Sequence, residues 1–262
     1  MRVFLRVLAV LLVLVIAGAV GGYFYARPLI ETGTGCAAHN TCAVHLVAGR
    51  EDPDSDLPAN PLVPYLTGYV NKGAKSSTSS VLWVLSTQKA WYTKGFGCTL
   101  GAERPTLEEP TLVEADLNPL SSAPSPEVAP EVSAAIGRAF GDDLSAEDRD
   151  TLGTRGIVVV QGGQLVGERY ADGFDAETPQ LGWSMSKSVA NLIVGRLVNE
   201  GRIAVDDASL RPEWTDDRSR ITVDELMRMT SGLTWDETYD LGTPITEMLY
   251  QHGDMAGFAA SQ

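Results

Sequence analysis

Cysteine and histidine are scarce in this chain, which contains three of each among its 262 residues. The histidines, at positions 39, 45 and 252, are widely separated. No Cys-x-x-Cys pair or Cys/His cluster has the spacing of a zinc site. We therefore expect no metal ion and no other cofactor.

Basic residues are also few, with 20 lysines and arginines against 34 acidic residues and a formal net charge of −14. A chain this acidic is a poor ligand for polyanions, so nucleic acid is excluded as a partner. Hydrophobic residues make up 44% of the sequence, which is enough for a packed core. The length allows one large domain, or one domain with a shorter region before it.

The first 27 residues predict a membrane segment. Arg2 and Arg6 precede an uninterrupted apolar run, residues 7–25, which ends in an aromatic cluster and is followed by Arg27. As a helix this run is about 28 Å long, close to the thickness of a hydrocarbon core. An uncleaved anchor with a cytoplasmic N-terminus is the favoured interpretation. A cleaved signal peptide is the alternative, with an Ala-x-Ala site at residues 17–19. Both place the remainder of the chain on the extracytoplasmic side.

Export permits disulfide bonds. Three cysteines allow at most one intramolecular bridge. We favour Cys42–Cys98, because both residues flank predicted strands, and this pairing leaves Cys36 free.

Composition divides the exported part into three regions. Residues 31–101 are expected to form a small, mainly β region. Residues 102–131 are rich in Pro, Glu, Ser and Ala and predict a linker. Residues 132–262 are expected to form the last domain.

Two strands are expected in the first of these regions. The apolar runs at residues 81–85 and 90–93 have strand composition, and we place a tight turn between them near Gln88 and Lys89.

The last domain begins with residues that favour a helix at 132–140 and then a hairpin. In residues 156–170 the pair Gly162–Gly163 separates two β-rich runs, which is a strong hairpin signal. Residues 185–200 have apolar side chains at helical spacing, and residues 221–229 predict a second helix with Thr222 as N-cap. This mixture of antiparallel strands and helices predicts an α+β fold.

Ser184 and Lys187 lie at the start of the first of these helices and carry the main functional signal. Side chains three residues apart share a helix face, so the amine can reach the hydroxyl and take its proton. The helix dipole and the backbone N–H of Ser184 would stabilise negative charge there. Shielding by Trp183 and the sheet would lower the pKa of Lys187 through desolvation. The alternative is an N-cap serine beside a solvated lysine. Ser186 and Ser188 lack a lysine three residues on, so neither is the favoured nucleophile.

The chain has a hairpin, then Ser184 and Lys187 at a helix start, then a second helix. In this order it resembles the serine β-lactamase and penicillin-binding superfamily, specifically its class C-like branch of esterases, amidases and peptidases. The resemblance covers residues 156–239 and rests on Glu-Arg-Tyr at 168–170, Trp-Ser-Met-Ser-Lys-Ser-Val at 183–189 and Met-Thr-Ser-Gly-Leu-Thr-Trp at 229–235. The first two also resemble hydrolases of linear 6-aminohexanoate oligomers. The resemblance implies an antiparallel sheet with a helical subdomain, and an acyl-enzyme on Ser184.

The chain departs from the family after these motifs. A Tyr-x-Asn or Tyr-x-Ser loop and a Lys-Thr-Gly or His-x-Gly strand are expected downstream, and neither is found before Gln262. We therefore expect an N-terminal fragment or truncated product that lacks motifs needed for turnover.

Two functions follow from these residues. The first is an exported, membrane-anchored serine hydrolase that cleaves amide or ester bonds in small-molecule or peptide-like substrates through Ser184 and Lys187. The second is a non-hydrolysing β-lactam or peptidoglycan sensor, or a truncated pseudoenzyme. The identity of the substrate does not follow from the sequence.

Overall fold

The computed structural model describes residues 2–52, 56–108, 110–111, 120 and 127–262. Half of the predicted linker, residues 102–131, therefore lies outside the described residues, namely 109, 112–119 and 121–126. The chain forms two compact units. One combines Met1–Glu108 with Leu181–Gln262, and the other is Glu109–Gln180. These units divide the chain differently from the three regions expected from composition, because residues 31–101 and the C-terminal residues pack into one body.

Helix α1 spans Arg2–Cys42 and contains the whole apolar run, residues 7–25, of the predicted membrane segment. It is long and apolar enough to cross a membrane, and its most apolar window is not buried by the protein. A signal sequence near an N-terminus passes the same test. The side chains in this window face outward in all directions, as lipid contact requires.

The second half of α1 is the centre of the first unit. Residues 32–38 are buried, although the sequence predicted a mainly β structure from residue 31. The helix continues although Gly33 and Gly35 disfavour it, because its small side chains let neighbouring elements pack closely against it. A Cβ at Gly33 would lie 2.6 Å from Leu62 Cδ1, and one at Gly35 would lie 2.0 Å from the Tyr250 carbonyl oxygen.

A four-stranded antiparallel sheet packs against this half of α1. Its strands are β1 (Leu66–Asn71), β2 (Ser76–Val81), β3 (Leu85–Thr93) and β4 (Gly97–Leu100), in the order β1-β2-β3-β4. The whole of β2 is buried, and Ser77 Oγ donates a hydrogen bond of 2.5 Å to the Ala38 carbonyl. Ala90 and Leu100 complete a core cluster with Ala38 and Cys42.

The predicted turn near Gln88 and Lys89 was wrong. Both residues lie inside β3, where Gln88 pairs with Ser79 and Lys89 pairs with Thr78. The chain turns instead at residues 82–84, where Leu82 and Trp83 have φ values of +50° and +72°. Positive φ at a hairpin turn usually calls for Gly, Asn or Asp, so an apolar turn carries none of the usual signal.

The structure joins Cys42 to Cys98, the pair favoured from the sequence, with an S–S distance of 1.97 Å. The bond ties the end of α1 to β4. Cys36 is a free, buried thiol.

Four helices follow in the C-terminal part of this unit. They are α4 (Met185–Asn199), α5 (Val223–Met227), α6 (Pro244–Gln251) and α7 (Met255–Ala260). Thr222 caps α5 as predicted, in a capping box with Glu225. The helix ends two residues earlier than expected, and Met229 has a φ of +58°. The amphipathic pattern correctly predicted α4, but Val189, Leu192 and Ile193 are 55%, 74% and 56% exposed.

The second unit contains α2 (Pro130–Ala139), α3 (Ala146–Leu152) and the strands β5 (Gly156–Gln161) and β6 (Gln164–Tyr170). The two strands form the predicted hairpin, and both glycines of its turn have positive φ. Helix α2 packs on β6 at Gly167, where a Cβ would meet Ile136 and Val132 at 3.0 Å. Sheet and helix together in the two units give the predicted α+β class.

Candidate active site

Ser184 occupies the N-cap position of α4, immediately after a turn at Gly182 and Trp183. The amides of Met185, Ser186 and Lys187 donate to the carbonyls of Gly182, Trp183 and Ser184 at 2.9–3.1 Å. Trp183 has a φ of +44°, a conformation that L side chains rarely adopt. Strained backbone of this kind is often found at functional sites.

The Ser184 hydroxyl does not cap the helix, because its side chain makes no capping hydrogen bond. It instead accepts a hydrogen bond from Lys187 Nζ, with a distance of 3.3 Å between Nζ and Oγ. The two side chains thus share a helix face, as their three-residue spacing indicates. The alternative of an N-cap serine beside a solvated lysine does not include this contact, although Ser184 is at the N-cap position and Lys187 is exposed.

Ser186 has a different environment from Ser184. Its Oγ donates a hydrogen bond of 2.6 Å to the Trp183 carbonyl, which ties the hydroxyl to the turn. The Ser186 hydroxyl, which is the nearest alternative nucleophile to Ser184, is therefore already hydrogen-bonded to the Trp183 carbonyl.

Ser184 and Lys187 both line a cleft of about 710 Å³, which lies within the first unit. Much of its wall is aromatic. Trp183 contacts Tyr239 with 5.8 Å between ring centroids. The volume lies in the range of small-molecule sites. The aromatic lining residues are Trp183, Trp235, Tyr239 and Tyr250.

Several titratable side chains in the cleft favour their uncharged forms. Burial raises the pKa of the Cys36 thiol and that of the Tyr250 hydroxyl, and the two groups also share a hydrogen bond. Burial lowers the pKa of His39, against a weaker opposing effect of its hydrogen bond with the Cys98 backbone. The wall that α1 and α6 contribute is therefore electrically neutral near pH 7.

Lys187 is exposed, as is Ser184. The sequence predicted that Trp183 and the sheet would shield the lysine from water, and this expectation was wrong. Trp183 is itself 54% exposed and packs against Tyr239. In the described part of the chain, no group of three or more His, Cys, Asp or Glu side chains is arranged to hold a metal ion.

The cleft includes residues that the sequence did not assign to a site. Cys36, His39 and Asn40 come from α1, in the region expected to be mainly β, and Tyr239 and Tyr250 match no family motif. A sequence signal does exist for the packing of α1 against its neighbours. It is the run Thr-Gly-Thr-Gly-Cys-Ala-Ala at 32–38, because small residues allow two elements to approach closely.

Comparison with known protein families places a match on part of the chain. Residues 142–255 match the family model described as Beta-lactamase, and this segment contains Ser184, Lys187, the β5–β6 hairpin and α5. Neither the curated proteins nor the solved structures give a significant match to the chain. Proteins with this domain are generally serine hydrolases. The match supports placing residues 142–255 in the serine β-lactamase and penicillin-binding superfamily.

Proposed function

We propose that the protein is an exported, membrane-anchored serine hydrolase of the class C-like branch, which cleaves amide or ester bonds through an acyl-enzyme on Ser184. The observation that carries this proposal is the 3.3 Å contact between Lys187 Nζ and Ser184 Oγ, in a cleft that the family-matched segment lines together with α1. A nucleophilic hydroxyl needs a base within hydrogen-bond distance, and Lys187 satisfies that condition.

The reaction takes place in two steps. Neutral Lys187 accepts the Ser184 proton while Oγ attacks the substrate carbonyl carbon. The tetrahedral intermediate then collapses, and the leaving amine or alcohol departs with a proton. Water attacks the resulting ester, releases the acid and restores the serine hydroxyl. The position of Ser184 at the start of the 15-residue helix α4 favours the negative charge that develops on the carbonyl oxygen.

The cleft favours a substrate with an uncharged or aromatic portion. Trp183, Trp235 and Tyr239 supply flat apolar surface, and buried Cys36 and half-buried Tyr250 add no charge. Asp56 and Glu237 also line the cleft, so its charged groups are confined to part of the wall. Anchoring through α1 would hold this cleft on the extracytoplasmic side.

Active-site labelling tests the proposal. The full-length protein, solubilised in detergent, is treated with a fluorophosphonate probe and with a fluorescent penicillin, and labelled peptides are identified by mass spectrometry. We expect the adduct on Ser184 and its loss in Ser184→Ala. Ser186→Ala is the matched control and should keep the label. Equal labelling of the wild type and Ser184→Ala would overturn the assignment.

A second candidate is a non-hydrolysing β-lactam or peptidoglycan sensor, or a pseudoenzyme that binds without turnover. The exposure of Ser184 and Lys187 favours it, because the preorganised electrostatics that drive turnover are strongest in a site that excludes water. The two functions predict different fates for the adduct. A hydrolase releases the acyl group, whereas a sensor retains the penicillin label on Ser184 after free probe is removed.

A further inference from the structure

The turn between β2 and β3 exposes a cluster of large apolar side chains. Leu82, Trp83 and Val84 form what we call the β2–β3 tip, and they are 58%, 77% and 75% exposed. Residues at hairpin turns are usually small or polar, and grouped exposed apolar side chains mark interaction sites. Residues 76–88 include no charged side chain, in a protein with a net charge of −14.

A hydrogen bond locates the tip relative to the apolar helix. Tyr23 Oη and Ser86 Oγ lie 3.1 Å apart. Tyr23 is within the last three residues of the apolar run of α1, and Ser86 follows the tip by two residues. The β2–β3 tip therefore lies beside the apolar half of α1.

A second set of contacts gives the direction in which the tip points. Ala90, farther along β3, packs with Ala38 and Cys42, which are farther along α1. Strand β3 thus runs beside the helix in the same direction, from the level of Tyr23 towards that of Ala38. Strand β3 begins at Leu85, and the turn at residues 82–84 precedes it. The tip therefore lies on the side of Ser86 that faces the N-terminal, apolar half of α1.

We infer that the β2–β3 tip inserts into the lipid of the same bilayer that α1 crosses, as a second membrane contact. The occupant is lipid because the tip extends the surface of a helix segment whose most apolar window is not buried by the protein. Tryptophan prefers the membrane interface, and an uncharged tip avoids repulsion from anionic headgroups. The inference rests on the proposed anchoring by α1, but not on catalysis at Ser184.

Two membrane contacts define an orientation that a single helix leaves free. One helix permits rotation and tilt of the exported part about its axis. A second contact, joined to α1 by the sheet and the Tyr23–Ser86 hydrogen bond, holds the first unit against the membrane surface. The tip thereby fixes the orientation of the cleft, which lies in the same unit, relative to the membrane.

Quenching by brominated lipid tests the inference. The full-length protein is reconstituted into phosphatidylcholine vesicles with or without bromine on the acyl chains, and its fluorescence is measured after flotation. We expect the brominated lipid to reduce wild-type emission by about one fifth, since one of the five tryptophans is at membrane depth. This loss should disappear in Trp83→Phe and persist in Trp91→Phe, a control on the same strand.

Each outcome has a separate meaning. A chain that floats with the vesicles but shows equal quenching in the wild type and Trp83→Phe retains the proposed anchor and overturns the tip contact. A chain that fails to float overturns both the anchor and the tip contact. Labelling of Ser184 in detergent is independent of either result and reports on the hydrolase alone.

Discussion

Lys187 Nζ donates a hydrogen bond of 3.3 Å to Ser184 Oγ, one helical turn apart at the start of α4. The contact is compatible with two roles for the lysine. As a base it removes the serine proton, and as a fixed cation it only orients the hydroxyl and stabilises negative charge. Substitutions at position 187 separate these roles because they change basicity and charge independently.

We predict that Lys187→Arg and Lys187→Met both slow acylation of Ser184 by about 10²–10⁴-fold, the usual contribution of general-base catalysis. Arginine retains the charge but does not give up its proton, so it cannot replace a base. Stopped-flow measurement with a fluorescent penicillin reports the rate. Lys89→Met, in the sheet, is the matched control and should acylate normally. Near-wild-type rates in Lys187→Arg would show that the lysine acts only through its charge.

Local signals in the sequence correctly predicted the elements around the site. The glycine pair at 162–163 predicted the β5–β6 hairpin, and Thr222 and Glu225 form the capping box that begins α5. Each of these features is determined within a few residues, since turn and cap geometry depends on neighbouring side chains. The spacing of Ser184 and Lys187 likewise implied their contact.

Long-range packing could not be predicted in this way. The approach of Tyr250 to Gly35 joins residues more than two hundred positions apart, and no local pattern encodes it. The turn at Leu82 and Trp83 was missed for a different reason. Its positive φ values are adopted by residue types that normally favour strands, so the tertiary structure overrides the local preference.

We predict that Gly35→Ala destabilises the first unit by about 1–3 kcal/mol, the usual cost of overpacking. The added Cβ would meet the Tyr250 carbonyl oxygen at 2.0 Å, and a backbone atom in α6 yields less readily than a flexible side chain. Because Tyr250 lines the cleft, labelling of Ser184 should also slow. Chemical unfolding followed by circular dichroism measures the stability.

Gly195→Ala is the control for this substitution. Nothing lies within 4 Å of a Cβ at Gly195 in α4, so alanine there should stabilise by up to about 1 kcal/mol through helix propensity alone. A neutral effect of Gly35→Ala would contradict the close approach of α1 and α6.

Burial of His39 predicts a pH dependence of stability. Its pKa in the folded protein is lowered from the ordinary value of 6.5, chiefly by desolvation. Below pH 6.5 the unfolded chain therefore binds a proton that the folded chain excludes. The stabilisation is complete above pH 6.5 and is lost as the pH falls from there through the lowered pKa. We expect the free energy of unfolding to decrease over this interval.

Replacement of the histidine isolates this contribution. His39→Gln cannot take up the proton, so its free energy of unfolding should change less between pH 7 and pH 5 than that of the wild type. His45→Gln is the matched substitution, and because it retains His39 it should retain the pH dependence. Parallel pH profiles for the wild type and His39→Gln, from denaturant titrations, would refute the assignment.

The Cys42–Cys98 bond closes a loop with a sequence separation of 56 and joins the end of α1 to β4. In the chain-entropy model, a loop of this size stabilises by about 4 kcal/mol. We therefore predict that the double variant Cys42→Ala/Cys98→Ala loses about 2–5 kcal/mol in free energy of unfolding. Cys36→Ala removes the buried free thiol and keeps the loop closed, so its smaller loss measures a cavity and the lost hydrogen bond with Tyr250 without any change in loop closure. If reductant lowered the stability of the wild type no more than that of the double variant, the bond would not contribute in solution.

Because α1 supplies both the proposed anchor and one wall of the cleft, loss of this bond should also slow labelling of Ser184 in the exported protein.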